Sequence, residues 1–223
     1  LAHAVAATKF GHPMLKHFTF PADWVNLNQG SFGACPVEVL SARREYQRIM
    51  DANPEAFFRV NMTGDGRTLY ADLIDRTRRA LAAYLHTDVN NIVLVENASE
   101  GINAVLRSLA KYLRRGRAML YLDTAYVEVK EVLRYLAGQE SDEPPSPDLK
   151  AHLLQVNITD LMPNITRSAV IERVRSTLQD HAGQIGLCSF SHITSTPGLV
   201  LPVRELIDAC RASGALVLID GAH

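Results

Sequence analysis

Cysteine is scarce in this chain and irregularly spaced: Cys35, Cys188 and Cys210 are its only three, and none belongs to a CxxC pair. An odd number at long separations excludes a disulfide framework and offers no zinc-ligand spacing, so a reducing compartment is the default. Neither sign of charge is in excess. With 23 basic and 24 acidic residues and a formal net charge of -1, nothing marks nucleic acid or an anionic membrane as a partner. A small neutral or zwitterionic substrate fits this balance better. Long apolar runs are missing too: none approaches the roughly 20 residues of a membrane span, and the N-terminal LAHAVAATKFGHPMLKHF lacks a signal-peptide core. No GxGxxG or Walker loop follows the first apolar run, which counts against a nucleotide-binding α/β domain. A soluble, cytoplasmic protein is expected.

What is present is ordinary core material, since 47% of the 223 residues are hydrophobic, enough to bury one large domain or parts of two. Short apolar runs alternate with amphipathic stretches. Strands are predicted at Ile92–Val95, Ala118–Leu122, Leu153–Val156, Ile185–Ser189 and Ala215–Ile219. Between them helices are predicted over Glu100–Leu113, Val127–Ala137, Ser168–Leu178 and Pro202–Ser213. In the last, Val203, Leu206, Ile207 and Cys210 recur at i, i+3, i+4 and i+7, Pro202 suits the first turn, and Gly214 the end. Two earlier helices, Val37–Met50 and Leu69–Leu85, carry a leucine stripe at Leu69, Leu73, Leu81 and Leu85. The alternation implies an α/β fold: a mostly parallel sheet with helices on both faces. QESDEPPSPD, from Gln139 to Asp148, reads as a surface loop.

In such a sheet ligands bind beyond the carboxyl ends of the strands. After Ile92–Val95 comes ENASEGIN, where Ala98, Ser99 and Glu100 open a helix whose free N–H groups and dipole can hold a phosphate; Asn97 and Glu100 also make a capping box. DTAY places Tyr126 at the mouth of the sheet, either as a stacking ring or as an amphipathic core residue. SHITSTPG crowds His192, Thr194, Ser195 and Thr196 into a turn that Pro197 and Gly198 explain without function. Asp220 follows five apolar residues, as a helix cap or as the partner of a protonated ring nitrogen.

The ordered set LNQGSFGACP, ENASEGIN, DTAYVEVK, SHITSTPGLVLPV and LIDGAH resembles the aminotransferase class V superfamily of pyridoxal-phosphate (PLP) fold type I. Within it, the set is most similar to the isopenicillin N epimerase-like and L-cysteine desulfhydrase-like branch. The resemblance spans Asn26 to His223 and implies PLP as cofactor. It implies that Asp220 contacts the pyridine nitrogen, Tyr126 stacks on the ring, and Ala98, Ser99 and Glu100 border the phosphate. His223 and either Thr194 or Ser195 lie near the phenolic oxygen, and Asn28, Gly30 and Ser31 border the substrate. Glu100, Val127 and Glu128 depart from the family's small residues at those positions.

The implied activity is on a small amino acid through a carbanion at Cα, with C–S lysis as in desulfhydrases first and epimerisation as the alternative, in a homodimer. Asp220 and His223 are the implied catalytic residues. The family's Schiff-base lysine follows DGAH in an HK pair, and Lys9, Lys16, Lys111, Lys130 and Lys150 match no such motif. The chain is therefore expected to be a fragment that does not turn over unaided, or an inactive partner of a full-length subunit. On this reading residues 1–35 border the active site, and 36–223 are the N-terminal part of the cofactor-binding large domain.

Overall fold

The computed structural model describes residues 10–59, 68–113, 117–138 and 152–223, so the predicted loop Gln139–Asp148 lies outside the described residues. The chain divides into two compact units, Leu1–Leu94 and Val95–His223. The first unit holds α1 (Val37–Ala52), α2 (Pro54–Phe58) and α3 (Leu69–Tyr84). The short α2 was not predicted, although its signals are local: Pro54 occupies the first turn, and the Asn53 side chain accepts from Ala56 N at 3.0 Å. Thr68 caps α3 in the same way, through Ala71 N. Little is buried here. Phe57 and Ala82 are the only buried residues among those described in this unit, and Leu85, expected on the buried stripe, is 56% exposed.

The second unit is built on four strands rather than five: β1 (Ala118–Leu122), β2 (His152–Val156), β3 (Ile185–Ser191) and β4 (Leu216–Asp220), all parallel in the order β2-β1-β3-β4. The predicted first strand, Ile92–Val95, joins no ladder, and Val93 is 78% exposed. Its apolar, β-branched composition expresses a preference that only a paired neighbour can realise. The other four runs found such neighbours.

Alternation within the strands sends side chains to two separate cores. On one face Leu120, Leu122, Cys188 and Phe190 meet α6 (Arg167–Asp180) and α7 (Val203–Ala212) through Val170, Val174, Leu206 and Cys210. On the other, Met119, Tyr121 and Leu187 meet α4 (Ala98–Leu113) and α5 (Val127–Leu136) through Ile102, Leu106, Val129 and Leu133. The parallel sheet is thus covered on both sides, as the sequence pattern predicted.

The helix ends follow the local code. Gly214, at φ +80°, ends α7 in a Schellman arrangement, with Ala215 N donating to Cys210 O and Gly214 N to Arg211 O, each at 3.0 Å. Gly186 serves close approach instead, because a Cβ there would lie 2.8 Å from Arg117 Cβ and 3.1 Å from Leu113 Cδ2. The end of α4 therefore sits against the start of β3. Cys188 and Cys210 are buried together, and the Cys210 thiol and burial push the Cys188 pKa up, which makes it a packing residue. Among the described residues no helix is long and apolar enough to cross a membrane.

Phe190 is 1% exposed at the middle of this core, so Phe190→Ala should lower stability by roughly 3–5 kcal/mol. Val200→Ala, at a residue 73% exposed, should stay within about 0.5 kcal/mol of the parent. Urea denaturation of the two variants checks both values.

Candidate active site

The strand order makes a crevice before any side chain is considered. The chain leaves β1 toward β2 on one side, and leaves β3 toward β4 on the other. The loops that follow these two adjacent strands therefore diverge, and open α/β sheets bind ligands at such a switch point. A pocket of about 220 Å³ lies there, lined by Asp123, Thr124, Ala125, Tyr126, Val127, Lys130, Ser195 and Thr196. Sites that enclose a whole ligand run to roughly 300–1,000 Å³, so this pocket takes part of one. A larger hollow of about 500 Å³ between α6 and α7 is lined by Gly183, Ala212 and Ser213, just before β3 and β4 begin. It is on the amino side of the sheet and holds none of the expected site residues.

The loop after β1 is anchored by Asp123. Its backbone N–H donates to Val156 O at 3.0 Å, its carbonyl accepts from Lys130 Nζ at 2.7 Å, and its carboxylate accepts from Ile158 N at 2.9 Å. Thr159 adds its own N–H at 3.2 Å and its hydroxyl. Partial burial pushes the Asp123 pKa up, but the bonds from Thr159 and Ile158, with the charge of Lys130, outweigh it and hold the carboxyl below its ordinary 3.8. Three residues on, Tyr126 begins α5 and stands 40% exposed at the pocket. The Glu128 carboxylate, desolvation and the charge of Asp220 all raise its phenol pKa, which keeps it protonated. Asp220 ends β4, opposite Ser191 at the end of β3.

The loop after β3 closes on itself. Ile193 and Val200 form an antiparallel bridge, and Thr194 N donates to Leu199 O at 3.0 Å. The Thr194 hydroxyl is 1% exposed at the residue level and is spent inside the turn, donating to Pro197 O and accepting from Leu199 N. Ser195 and Thr196 at the tip face the pocket. Asp220, the last residue of β4, is tied in by His192 N, which donates to its carbonyl at 2.7 Å, and its Oδ1 accepts from Ala222 N at 3.0 Å.

No family model matches the chain, but individual proteins do. It is 33% identical over 211 residues to a putative L-cysteine desulfhydrase of Oryza sativa subsp. japonica, covering 88% of this chain and 39% of the relative. Isopenicillin N epimerase of Streptomyces clavuligerus is 26% identical, covering 89% and 44%. Two structures of C-DES share the fold. One has glycine covalently linked to its PLP cofactor (TM-score 0.72, 21% identity, 94% of this chain and 49% of that one). The other is the cystine C-S lyase with cysteine persulfide (TM-score 0.67, 20% identity, 95% and 49%). The homologues of this chain are L-cysteine desulfhydrases and isopenicillin N epimerase. The chain spans less than half the length of each.

In this desulfhydrase-like chain the expected residues fall into three groups. Tyr126 and Ser195 line the switch-point pocket, and Asp220 ends the strand next to β3. Ala98, Ser99 and Glu100 form the first turn of α4, whose last residue, Leu113, packs at the start of β3. At about 1.5 Å per helical residue against 3.3 Å per strand residue, the 16 residues of α4 and the seven of β3 have matching lengths. The free N–H groups of α4 therefore reach the carboxyl side of the sheet. Asn97 accepts from Glu100 N at 2.8 Å, so the capping contact is made as well. Asn28, Gly30 and Ser31 lie in the other unit, in a turn where Asn28 Oδ1 accepts from Ser31 N at 3.1 Å. His223 is exposed.

Three polar pocket residues were missed, Asp123, Thr124 and Lys130, while Thr196 was already a candidate as part of its turn. Lys130 carried a signal, since it stands four residues after Tyr126 on the same helix face. Thr124 is 5% exposed, and its Oγ1 has no hydrogen-bond partner among the described residues.

Because the folded-state pKa of Asp123 is depressed, its stabilisation is present at neutral pH and is lost as pH falls from about 3.8. Asp123→Asn should cost roughly 1–3 kcal/mol at pH 7. The gap to the parent should narrow below that pH, as denaturation curves at pH 7 and pH 3 will show.

Proposed function

We propose that the protein is a PLP-dependent enzyme that acts on an amino acid at Cα and breaks a C–S bond. The observation that carries this reading is the switch-point pocket, where the Tyr126 ring and the Ser195 hydroxyl line one space, with the Asp220 carboxylate at the end of the strand beside β3. The donor set fits the cofactor: a flat ring for stacking, the Ser195 hydroxyl for a phenolic oxygen, helix N–H groups for a phosphate, and a carboxylate for a ring nitrogen. The unpartnered Thr124 hydroxyl shows that the pocket also has a polar group to spare. When bound, PLP supplies an electron sink for charge that develops at the substrate Cα.

The chain's own residues have separate tasks in this reading. Asp220 would hold a proton on the ring nitrogen by pairing with it. Tyr126 covers one ring face and excludes water from it. Ala98 and Ser99 direct backbone N–H groups at the phosphate, and the Glu100 side chain, exposed at the same turn, tempers the positive field there. Ser195 takes the phenolic oxygen rather than Thr194, whose hydroxyl is engaged within its loop. His223 follows Asp220 by three residues and serves the same edge of the ring. Asn28, Gly30 and Ser31 border the amino-acid substrate, and a homodimer belongs to the same proposal.

The desulfhydrase and C–S lyase names among the relatives support lysis. Epimerisation is the second reading, favoured by the likeness to isopenicillin N epimerase. None of Lys9, Lys16, Lys111, Lys130 and Lys150 lies in a DGAH-HK context, so the amine that links the cofactor comes from outside these 223 residues.

Incubating a longer protein that carries the linking lysine with PLP and cysteine, cystine or a cysteine sulfoxide conjugate should release pyruvate, whereas the 223 residues alone should not. Loss of optical activity without pyruvate would instead establish the epimerase. Asp220→Asn should lower kcat on the order of 100-fold or more, measured as the rate of product formation.

A further inference from the structure

Among the described residues, the Thr124 hydroxyl is the one fully buried side-chain hydroxyl without a hydrogen-bond partner. Thr159 bonds Asp123, Thr194 bonds within its own loop, and the Tyr121 hydroxyl donates to Gln155 Oε1 at 3.1 Å. Thr124 lines the pocket at 5% exposure, and its Oγ1 meets no partner among the described residues. A buried hydroxyl left unpaired is costly, and the cost is relieved when a ligand pairs it. Lys130 lines the same pocket. One of its three ammonium protons goes to Asp123 O, which leaves two for other acceptors. The Asp123 carboxylate, which feels the charge of Lys130, is turned to Ile158 and Thr159. A donor hydroxyl beside an ammonium selects an anionic oxygen.

We propose that Thr124 is a further ligand-binding residue of the switch-point pocket, donating its hydroxyl proton to an anionic oxygen of the ligand under the positive field of Lys130. This rests on the reading of the pocket as a cofactor and amino-acid site. With the phosphate assigned to the first turn of α4, two anionic oxygens remain, the ring phenolate of PLP and the carboxylate of the amino acid.

The test compares Thr124→Val, Thr124→Ser and Tyr126→Ala in the purified protein. PLP is titrated alone by absorbance, and glycine is then titrated into the PLP-loaded protein. Without ligand, Thr124→Val should unfold at the parent's temperature or above it, because a methyl replaces an unpaired hydroxyl of the same shape. With ligand, it should bind one probe about tenfold more weakly, the value of one net hydrogen bond, while Thr124→Ser retains affinity. Weakened PLP binding assigns the phenolate, and weakened glycine binding alone assigns the carboxylate. Unchanged binding of both probes, or unfolding several degrees lower without ligand, would overturn the proposal. Should Tyr126→Ala also leave PLP binding unchanged, the cofactor reading fails with it. If that variant weakens PLP and Thr124→Val does not, only the role of Thr124 falls.

Discussion

The pairing of β1 with β3 is the constraint on which the rest of the second unit depends. These strands lie side by side although the whole α5-β2-α6 excursion separates them in the chain. Parallel pairing requires crossovers of that length, and each crossover brings a helix onto a face of the sheet. The two crossovers leave in opposite directions, so the loops after β1 and β3 part at the carboxyl edge. The crevice follows from connectivity. Side chains then decide what it can hold.

Two polar residues stabilise the crevice walls. Asp123 gathers the loop after β2 and the amine of α5 onto the loop that carries Tyr126. Thr194 does the same inside the loop after β3, where its hydroxyl replaces backbone contacts that a tight turn cannot make. Both rely on short-range bonds to groups that would otherwise be buried without partners. The result leaves Tyr126 and Ser195 facing a common space. Thr124 breaks this economy, which is why it matters beyond packing.

The first unit is organised differently. Its three helices are set by caps and proline rather than by a deep core, and only Phe57 and Ala82 are buried among its described residues. Its turn at Asn28–Ser31 is held by an asparagine side chain bonding the backbone three residues on, a local solution that needs no tertiary support.

Helices and turns were legible in the sequence because their determinants lie within four residues of one another. The Gly214 terminus and the Leu206–Cys210 face of α7 belong to this class, and the Thr166 cap of α6, bonded to Ala169 N, is as local although it was not predicted. Strands were legible as apolar runs, and four of the five paired. Ile92–Val95 shows the limit, since a run of residues cannot state whether a neighbouring strand exists for it. The site divides along the same line. By itself the sequence determined which residue types stand at the strand ends, because those positions are one-dimensional. Only the tertiary structure decided that Tyr126 and Ser195 share a pocket, that Thr194 turns inward, and that Thr124 is buried with its hydroxyl unpaired. The first depends on strands brought together from 60 or more residues apart, and the other two on which hydroxyls the folded loops leave bonded or unbonded.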